Sequence, residues 1–174
     1  MDKTALDNLV IRHCSEGELT QVMALEAAVL SQLERPDLLR QNTKEMWASC
    51  LRPPHVSIGA WNGADLVALA VLYIPEEGDG ESLAPLLHTI DIKGHRCANF
   101  KICLVHPDWR GHHLQVLLGN RLATEAKARG YDLLCATASP YNAASIKSLL
   151  RLGYHVDHKL EKYGFERMVF FYVN

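Results

Sequence analysis

The chain passes from a strand to a helix across residues 105–115, which read VHPDWRGHHLQ. Residues 100–105 favour β-structure, and Pro107 ends that run because proline cannot continue a central strand. From Leu114 the apolar residues recur at helical spacing, at Leu117, Leu118, Leu122 and Ala126. Arg129-Gly130 then gives a basic last turn and a stop. The segment therefore predicts a strand, a short loop and the start of a helix.

The turn at residues 110–115 has the features of an anion site. A helix N-terminus offers unpaired N–H groups and the positive end of the helix dipole. Arg110 adds a positive side chain immediately before the predicted helix. The segment is thus suited to a phosphate group. The alternative interpretation is an ordinary turn between a strand and a helix.

The same stretch resembles the coenzyme-A pyrophosphate loop of the GNAT superfamily of acyl-CoA N-acyltransferases. That family has the pattern Arg/Gln-x-x-Gly-x-Gly/Ala, which begins here at Arg110. His113 and Gln115 stand at the two small positions. The backbone amides remain, but each added Cβ reduces the room for a closely approaching pyrophosphate.

Two further blocks resemble the same family in the expected order. Residues 142–154 resemble its Asn-x-x-Ala/Ser-Ile…Leu-Gly-Phe segment, and Tyr163-Gly164-x-x-Arg167 resembles a Tyr-Gly-Gly-x-x-Arg ending of some bacterial members. With the loop, these blocks span roughly residues 98–173. The first ninety residues match in element order only.

The periodicity predicts one mixed α/β domain over residues 1–174, with a sheet of about six to seven strands and flanking helices in the order β-α-α-β-β-β-α-β-α-β-β. Ser15 with Glu18 and Asn42 with Glu45 are predicted capping boxes. Asn62-Gly63 predicts a hairpin, and residues 75–82 predict an exposed acidic loop. Residues 83–97 carry no clear pattern. The predicted strands cover residues 9–13, 56–61, 66–74, 98–105, 132–138, 154–159 and 165–173.

Composition excludes several classes of protein. The 174 residues are 48% hydrophobic, and 18 Lys and Arg against 20 Asp and Glu give a net charge of −2. There is no basic block for a nucleic acid or a membrane surface. Five scattered cysteines form neither a C-x-x-C pair nor an even set for a disulfide framework. Without an N-terminal signal pattern or a long apolar run, the chain is predicted to be soluble and cytoplasmic.

The resemblance implies acetyl transfer from acetyl-CoA to an amine. Residues 98–105 and 132–138 are then two parallel strands that splay apart around the pantetheine arm. A backbone N–H near Val105 polarises the thioester carbonyl in this scheme. The implied cofactor-binding residues are Leu104, Val105, Arg110, Gly111, His112, His113, Leu114, Gln115, Asn142 and Ser145.

The catalytic acid is not identified by sequence. The family's tyrosine lies seven residues after the asparagine, and Leu149 occupies that position here. A leucine cannot donate a proton, so that role does not carry over. Tyr141 and Tyr163 are the candidates nearby, and each has the alternative of a packed or surface tyrosine. Cys103 is interpreted as a small core residue.

No metal site is predicted from the nine histidines. His155 and His158 would lie on opposite faces of a regular strand, and no helical histidine pair has ligand spacing. The acceptor is an amine whose identity the sequence leaves open, although the acidic residues 76–81 hint at a cationic one. The resemblance also implies a homodimer through residues 154–173.

Three hypotheses follow from these observations. The first is an acetyl-CoA-dependent N-acetyltransferase that acts on a primary amine of a small molecule or a protein. The second is a non-catalytic coenzyme-A-binding sensor or regulatory domain, motivated by Leu149 and the two filled small positions. The third is an unrelated α/β domain in which the loop is only structural.

Overall fold

The computed structural model describes residue 6 and residues 8–174. Its element order is β-α-α-β-β-β-α-β-α-β-β, as predicted. The predicted domain range begins at residue 1, so residues 1–5 and 7 of it lie outside the described residues. The strands are β1 (Val10–Cys14), β2 (Val56–Asn62), β3 (Asp65–Tyr73), β4 (Cys97–Val105), β5 (Leu133–Ala138), β6 (His155–Lys162) and β7 (Phe165–Val173). The helices of the described part are α1 (Leu19–Leu30), α2 (Lys44–Cys50), α3 (Leu114–Ala128) and α4 (Ala143–Arg151).

The seven strands form one mixed sheet in the order β1-β2-β3-β4-β5-β7-β6. Neighbouring strands are antiparallel except for β4 and β5, which are parallel. The centre of the sheet is buried on both faces, since eight consecutive residues of β3 are buried. A run such as LVALAVLY therefore has no polar side, as is typical of a strand covered on both faces.

Alternation along β3 separates two cores. Ala68, Ala70 and Leu72 face the cluster that contains α3, whereas Leu69 and Val71 face the cluster that contains α1 and α2. Because successive strand side chains point to opposite faces, this single strand contributes to both clusters. Each fully buried leucine stabilises the fold by about 1.5–3 kcal/mol relative to an exposed one.

The hairpin between β2 and β3 is confirmed at the Asn62-Gly63 signal. Asn62 pairs with Asp65, so the turn consists of Gly63 and Ala64. Gly63 has φ +60, a left-handed conformation that glycine adopts without steric cost.

One of the two predicted capping boxes is present, and the other is wrong. Ser15 donates its backbone N–H and its hydroxyl to Glu18 at 2.7 and 2.8 Å. At α2 the cap is Thr43, whose hydroxyl accepts from the Met46 N–H at 3.1 Å. Asn42 instead donates its backbone and side-chain amides to buried Glu26 at 3.0 Å. A long-range carboxylate therefore outcompetes the local helix end for Asn42.

The homodimer, the cytoplasmic location and the lack of nucleic-acid and membrane partners stay predictions. The strands that would form the dimer, β6 and β7, lie at one end of the sheet, with β6 as the edge strand. No helix in the described part of the chain is both long enough and apolar enough to span a membrane.

We expect Gly59→Ala to destabilise the protein by about 1–3 kcal/mol, because the added methyl group overpacks the core. A Cβ at buried Gly59 would lie 2.6 Å from Leu66 Cδ1 and 2.8 Å from Cys14 Sγ. Urea unfolding measures the change. Gly80→Ala is the matched control, because nothing lies within 4 Å of its added Cβ. Equal stability of the two variants would contradict this packing.

Candidate active site

The sheet opens between its two parallel strands. β4 and β5 pair only from Cys97 to Asn99 and from Leu133 to Cys135. Beyond these positions β4 stays on β3, and β5 stays on β7. The resulting cleft has a volume of about 520 Å³ and is lined by both strands, the start of α3 and the inner side of α4.

The backbone of β4 points two of its amides into the opening. The N–H of His106 donates to the Val67 carbonyl at 2.9 Å, so His106 faces β3. Hydrogen-bonding direction alternates along an antiparallel pair, so Leu104 also faces β3 while Val105 and Cys103 face the gap. The Leu104 side chain is fully buried and does not line the cleft. The backbone N–H of Val105 therefore faces the cleft, where a cofactor contact was predicted. The backbone N–H of Leu104 faces β3 instead.

The loop at the end of β4 is held in a left-handed conformation at two positions. Gly111 has φ +83, and His113 has φ +58 and ψ 23. This conformation costs a residue with a Cβ roughly 1–2 kcal/mol, although histidine is among the side chains that tolerate it. His113 thus keeps the backbone shape that a glycine at this position would favour.

The amides of this loop are available to a ligand. Among the described residues, the N–H groups of residues 111–115 donate to no protein acceptor. Residues 111–113 precede α3, and Leu114 and Gln115 begin its first turn. The carbonyl of His113, the residue before the helix, accepts from the N–H groups of Val116 and Leu117 at 3.0 Å. A row of free donors at the positive end of a helix is an anion-binding arrangement.

The side chains of His113 and Gln115, which occupy the two small positions of the family pattern, contact α4. Arg151 donates to His113 Nδ1 at 2.9 Å, and Gln115 Nε2 donates to Ser145 Oγ at 3.2 Å. Asn142 caps α4, because its side chain accepts from the Ser145 N–H at 3.0 Å. The predicted cofactor residues that line the cleft are Val105, Arg110, Gly111, His113, Leu114, Gln115, Asn142 and Ser145. Of the predicted set, Leu104 and His112 do not line it.

Two cations at this end of the cleft were missed by the sequence analysis. Lys147 and Arg151 line it together with Arg110. The sequence could have placed Lys147 and Arg151 side by side, because residues four apart in a helix lie on the same face. They add positive charge beside the free amides of the loop.

The other half of the cleft is organised by Glu81. Its carboxylate accepts from Arg40 at 2.9 Å, from Lys101, and from the Tyr163 hydroxyl at 3.4 Å. Burial alone would raise the pKa of Glu81, but the hydrogen bonds from Lys101 and Arg40 outweigh it and lower the pKa to about 2. The charge of Glu81 is therefore already neutralised by two cations.

This arrangement corrects the interpretation of the acidic segment. Residues 75–82 are predicted to be an exposed acidic loop, with attraction of a cationic amine as the alternative role. Glu76 and Glu77 are exposed, but the side chain of Glu81 is only 18% exposed and is ion-paired. Asp79 accepts from the Tyr73 hydroxyl at 2.8 Å, in a separate depression outside the cleft. None of these carboxylates lines the cleft.

Cys103 was interpreted from the sequence as a small core residue. In the structure it also lines the cleft. Burial raises the pKa of its thiol to about 12. A thiol in this state stays protonated near neutral pH, which disfavours a role as a nucleophile.

A cluster of metal-ligand type lies outside the cleft. The ligand atoms of His88, Asp157 and His158 lie within 4.8 Å of one another. His155 and His158 would lie on opposite faces of a regular strand, but β6 has a bulge between Val156 and Lys159. The Asp157 carboxylate also accepts from the N–H groups of His88 and Thr89 at 2.9 Å. It thus anchors the segment before β4 to β6.

Comparison with known families agrees with this geometry. The profile of the Acetyltransferase (GNAT) family matches residues 22–154, which is most of the chain. The chain belongs to the GNAT acetyltransferase family. A sequence search of curated proteins gave no significant match.

Solved structures of GNAT proteins share the fold at low sequence identity. The GNAT-family acetyltransferase of Streptococcus pneumoniae has a TM-score of 0.72 at 12% identity, covering 95% of this chain and 99% of that one. The ribosomal-protein-S18-alanine N-acetyltransferase of Escherichia coli gives 0.71 at 16%, covering 95% and 93%. The protein yncA of Salmonella typhimurium, solved with its cofactor acetyl-CoA, gives 0.69 at 17%, covering 95% and 94%.

The structure separates the two candidate tyrosines of this GNAT domain. Tyr141 is 58% exposed, carries the Arg35 guanidinium over its ring at 3.7 Å, and does not line the cleft. Tyr163 lines the cleft, and burial raises its pKa to about 12, with Glu81 adding to the effect. Leu149, at the position of the family's tyrosine, is buried and also lines the cleft.

We expect Arg110→Ala to weaken coenzyme A binding by about 10- to 100-fold, which corresponds to one charge-assisted hydrogen bond to phosphate. Binding of pantetheine, which lacks the phosphates, should not change. Calorimetric titration of both ligands measures the difference. Arg121→Ala removes an exposed arginine of α3 that does not line the cleft, and it serves as the control. An equal loss for both ligands would contradict the assignment of Arg110 to phosphate.

We expect Glu81→Gln to destabilise the protein by roughly 3 kcal/mol at pH 7, because it removes the ion pairs with Lys101 and Arg40 that lower the pKa of Glu81 to about 2. A folded-state pKa below the ordinary value of 4.5 stabilises the protein above that pH, and the contribution disappears as the pH falls toward 2. Urea unfolding at pH 7 and pH 3 should therefore show a smaller difference between wild type and variant at pH 3. Glu77→Gln, in the exposed loop, is the control. A pH-independent difference would show that the ion pairs are not its source.

Proposed function

We propose that this protein transfers an acetyl group from acetyl-CoA to a primary amine of a small molecule or a protein. The observation that carries the proposal is the separation of β4 from β5, which exposes backbone amides of β4 along a cleft that ends at free loop amides. A pantetheine arm can pair with Cys103 and Val105 as an additional strand would. The pyrophosphate then reaches the loop and the start of α3.

The backbone of β4 supplies the electrophilic assistance in this proposal. The N–H of Val105 donates to the thioester carbonyl, whose oxygen gains negative charge as the amine attacks carbon. Because a backbone amide is fixed by the sheet, it is already oriented when the charge develops. The carbon–nitrogen bond forms, and the carbon–sulfur bond breaks to release the thiolate of coenzyme A.

Tyr163 is the proposed acid for the departing thiolate. A phenol with a pKa near 12 remains protonated at neutral pH, so it can donate a proton to sulfur. The nitrogen loses one proton to solvent in forming the amide, and the tyrosine regains one from solvent. The reaction therefore yields one amide and one free thiol without net consumption of protons.

Thermal-shift titration with acetyl-CoA, ADP and pantetheine tests the binding half of the proposal. A ligand at 100 times its Kd stabilises a protein by about 2.7 kcal/mol, a melting-point rise on the order of 5–10 °C for this size of domain. We expect acetyl-CoA to exceed both fragments. Thiol release across a panel of primary amines tests the chemical half. Binding without any thiol release would favour the coenzyme-A-binding regulatory domain, and no binding would contradict the proposed use of acetyl-CoA.

We expect Tyr163→Phe to lower kcat by about 100-fold, because a general acid contributes on the order of 10²–10⁴-fold. Binding of acetyl-CoA should be retained, since the variant keeps the ring. Tyr141→Phe is the matched control and should retain full kcat, because its ring lies outside the cleft. Equal activity of the two variants would remove Tyr163 from the proton path.

A further inference from the structure

Arg167 is a buried cation that forms no ion pair or hydrogen bond with a carboxylate in the part of the chain that the structure describes. Its residue is 4% exposed, and its side chain lines the cleft. Among the described residues its guanidinium makes one hydrogen bond, to the backbone carbonyl of Asp37. Burial lowers the pKa of Arg167, which reflects the cost of holding this charge away from water. A guanidinium has five N–H donors, so most of them are unused.

The charge of the Asp37 carboxylate favours the protonated form of Arg167, but this carboxylate is hydrogen-bonded to other groups. Asp37 accepts from Arg35 Nε at 2.8 Å and from the buried Ser139 hydroxyl at 3.1 Å. Asp37 therefore holds Arg167 through its backbone and directs its carboxylate elsewhere. A charge as buried as Arg167 is normally paired or hydrogen-bonded, because desolvation is otherwise unfavourable.

Among the described residues, cations outnumber carboxylates on the walls of the cleft around Arg167. Arg40 and Lys101 line the same half of the cleft and share the single carboxylate of Glu81. Glu34 also lines the cleft, at its exposed rim. The inner wall of this half of the cleft, in which the acceptor would bind, therefore carries more positive than negative side chains, although the chain as a whole carries −2.

From this geometry we infer that the acceptor is a small primary amine that also carries a carboxylate, and that Arg167 binds this carboxylate. The inference rests on the proposed acetyl transfer and decides between its two acceptor classes. A free amino acid has both groups, whereas the N-terminus of a protein has no carboxylate beside its amine. A planar guanidinium fork matches a carboxylate with two parallel hydrogen bonds.

The same positive wall assists the chemistry of the amine. Nearby cations disfavour the charged form of an ammonium group and so lower its pKa. The neutral amine, which is the nucleophile, is then more populated near neutral pH. The carboxylate of the acceptor is held by Arg167 while its amine loses a proton to solvent.

Paired acceptors provide the test. Thiol release from acetyl-CoA is measured for a panel of free amino acids and for the matched carboxamides, which keep the amine and lose the negative charge. We expect kcat/KM of the wild-type protein to be about 10- to 150-fold higher for the acid of the best pair. A panel of aminoalkyl phosphates distinguishes a phosphate-bearing acceptor. Equal rates for acids and amides, or a preference for the phosphates, would overturn the inference.

Variants of Arg167 separate binding from structure. Arg167→Gln should raise KM for the acid by a similar factor, leave the amide and the KM of acetyl-CoA unchanged, and abolish the selectivity. Arg167→Lys should restore part of it, because the charge remains and the fork is lost. Arg121→Gln is the surface control. If Arg167→Gln does not fold, the selectivity of the wild-type protein alone decides the question.

Failure of the proposed function gives a different result from failure of this inference. If no amine releases thiol, calorimetric titration of the coenzyme A complex with the same acids and amides measures binding directly. Tighter binding of an acid than of its amide, lost in Arg167→Gln, would support the carboxylate site without catalysis. Absence of that preference would overturn it.

Discussion

The candidate site depends on two adjacent strands, β4 and β5, that separate while their backbone groups keep hydrogen-bond partners. Buried N–H and C=O groups must have partners, so a sheet cannot open unless each separated strand keeps a neighbour on its other side. Here β4 remains paired with β3 as far as Val105, and β5 remains paired with β7 as far as Ala138. The inner edges of both strands face the cleft. A ligand with amide groups can complete the hydrogen bonding that the sheet leaves open.

Electrostatics divide the cleft into two ends with different tasks. At the α3 end, free amides and exposed cations suit a strongly charged, solvated phosphate group. At the other end, the charges are more deeply buried, and Arg40 and Lys101 share the carboxylate of Glu81. Among the described residues Arg167 has no ion-paired carboxylate, and because it is buried it interacts more strongly with the charge of a ligand than it would in water. Two ligands of different chemistry can thus be ordered in one continuous opening.

Local features of the sequence predicted much of this architecture. The spacing of hydrophobic residues along the chain predicts the order of strands and helices. The conformational preferences of single residues predict the Asn62-Gly63 turn and the Asn142 cap. The loop at residues 110–115 was also recognisable, because its anion-binding capacity comes from contiguous backbone amides. The prediction of a helix cap at Asn42 failed because a more distant partner competed for this residue. Asn42 donates to Glu26, sixteen residues away, instead of capping its helix.

The sequence by itself therefore determined the element order, the family resemblance and the position of the loop at the start of α3. Only the tertiary structure decided that Cys103 and Val105, and not Leu104, face the opening, because the direction of a strand amide depends on which neighbour it pairs with. Tertiary structure also decided that Glu81 is neutralised and that Arg167 has no ion-paired carboxylate among the described residues. The groups that meet at these sites are far apart in sequence: Arg40 and Glu81 are separated by 41 residues, and Arg167 and the Asp37 carbonyl by 130. Local periodicity carries no information about which charges meet at such separations, because folding alone brings them together.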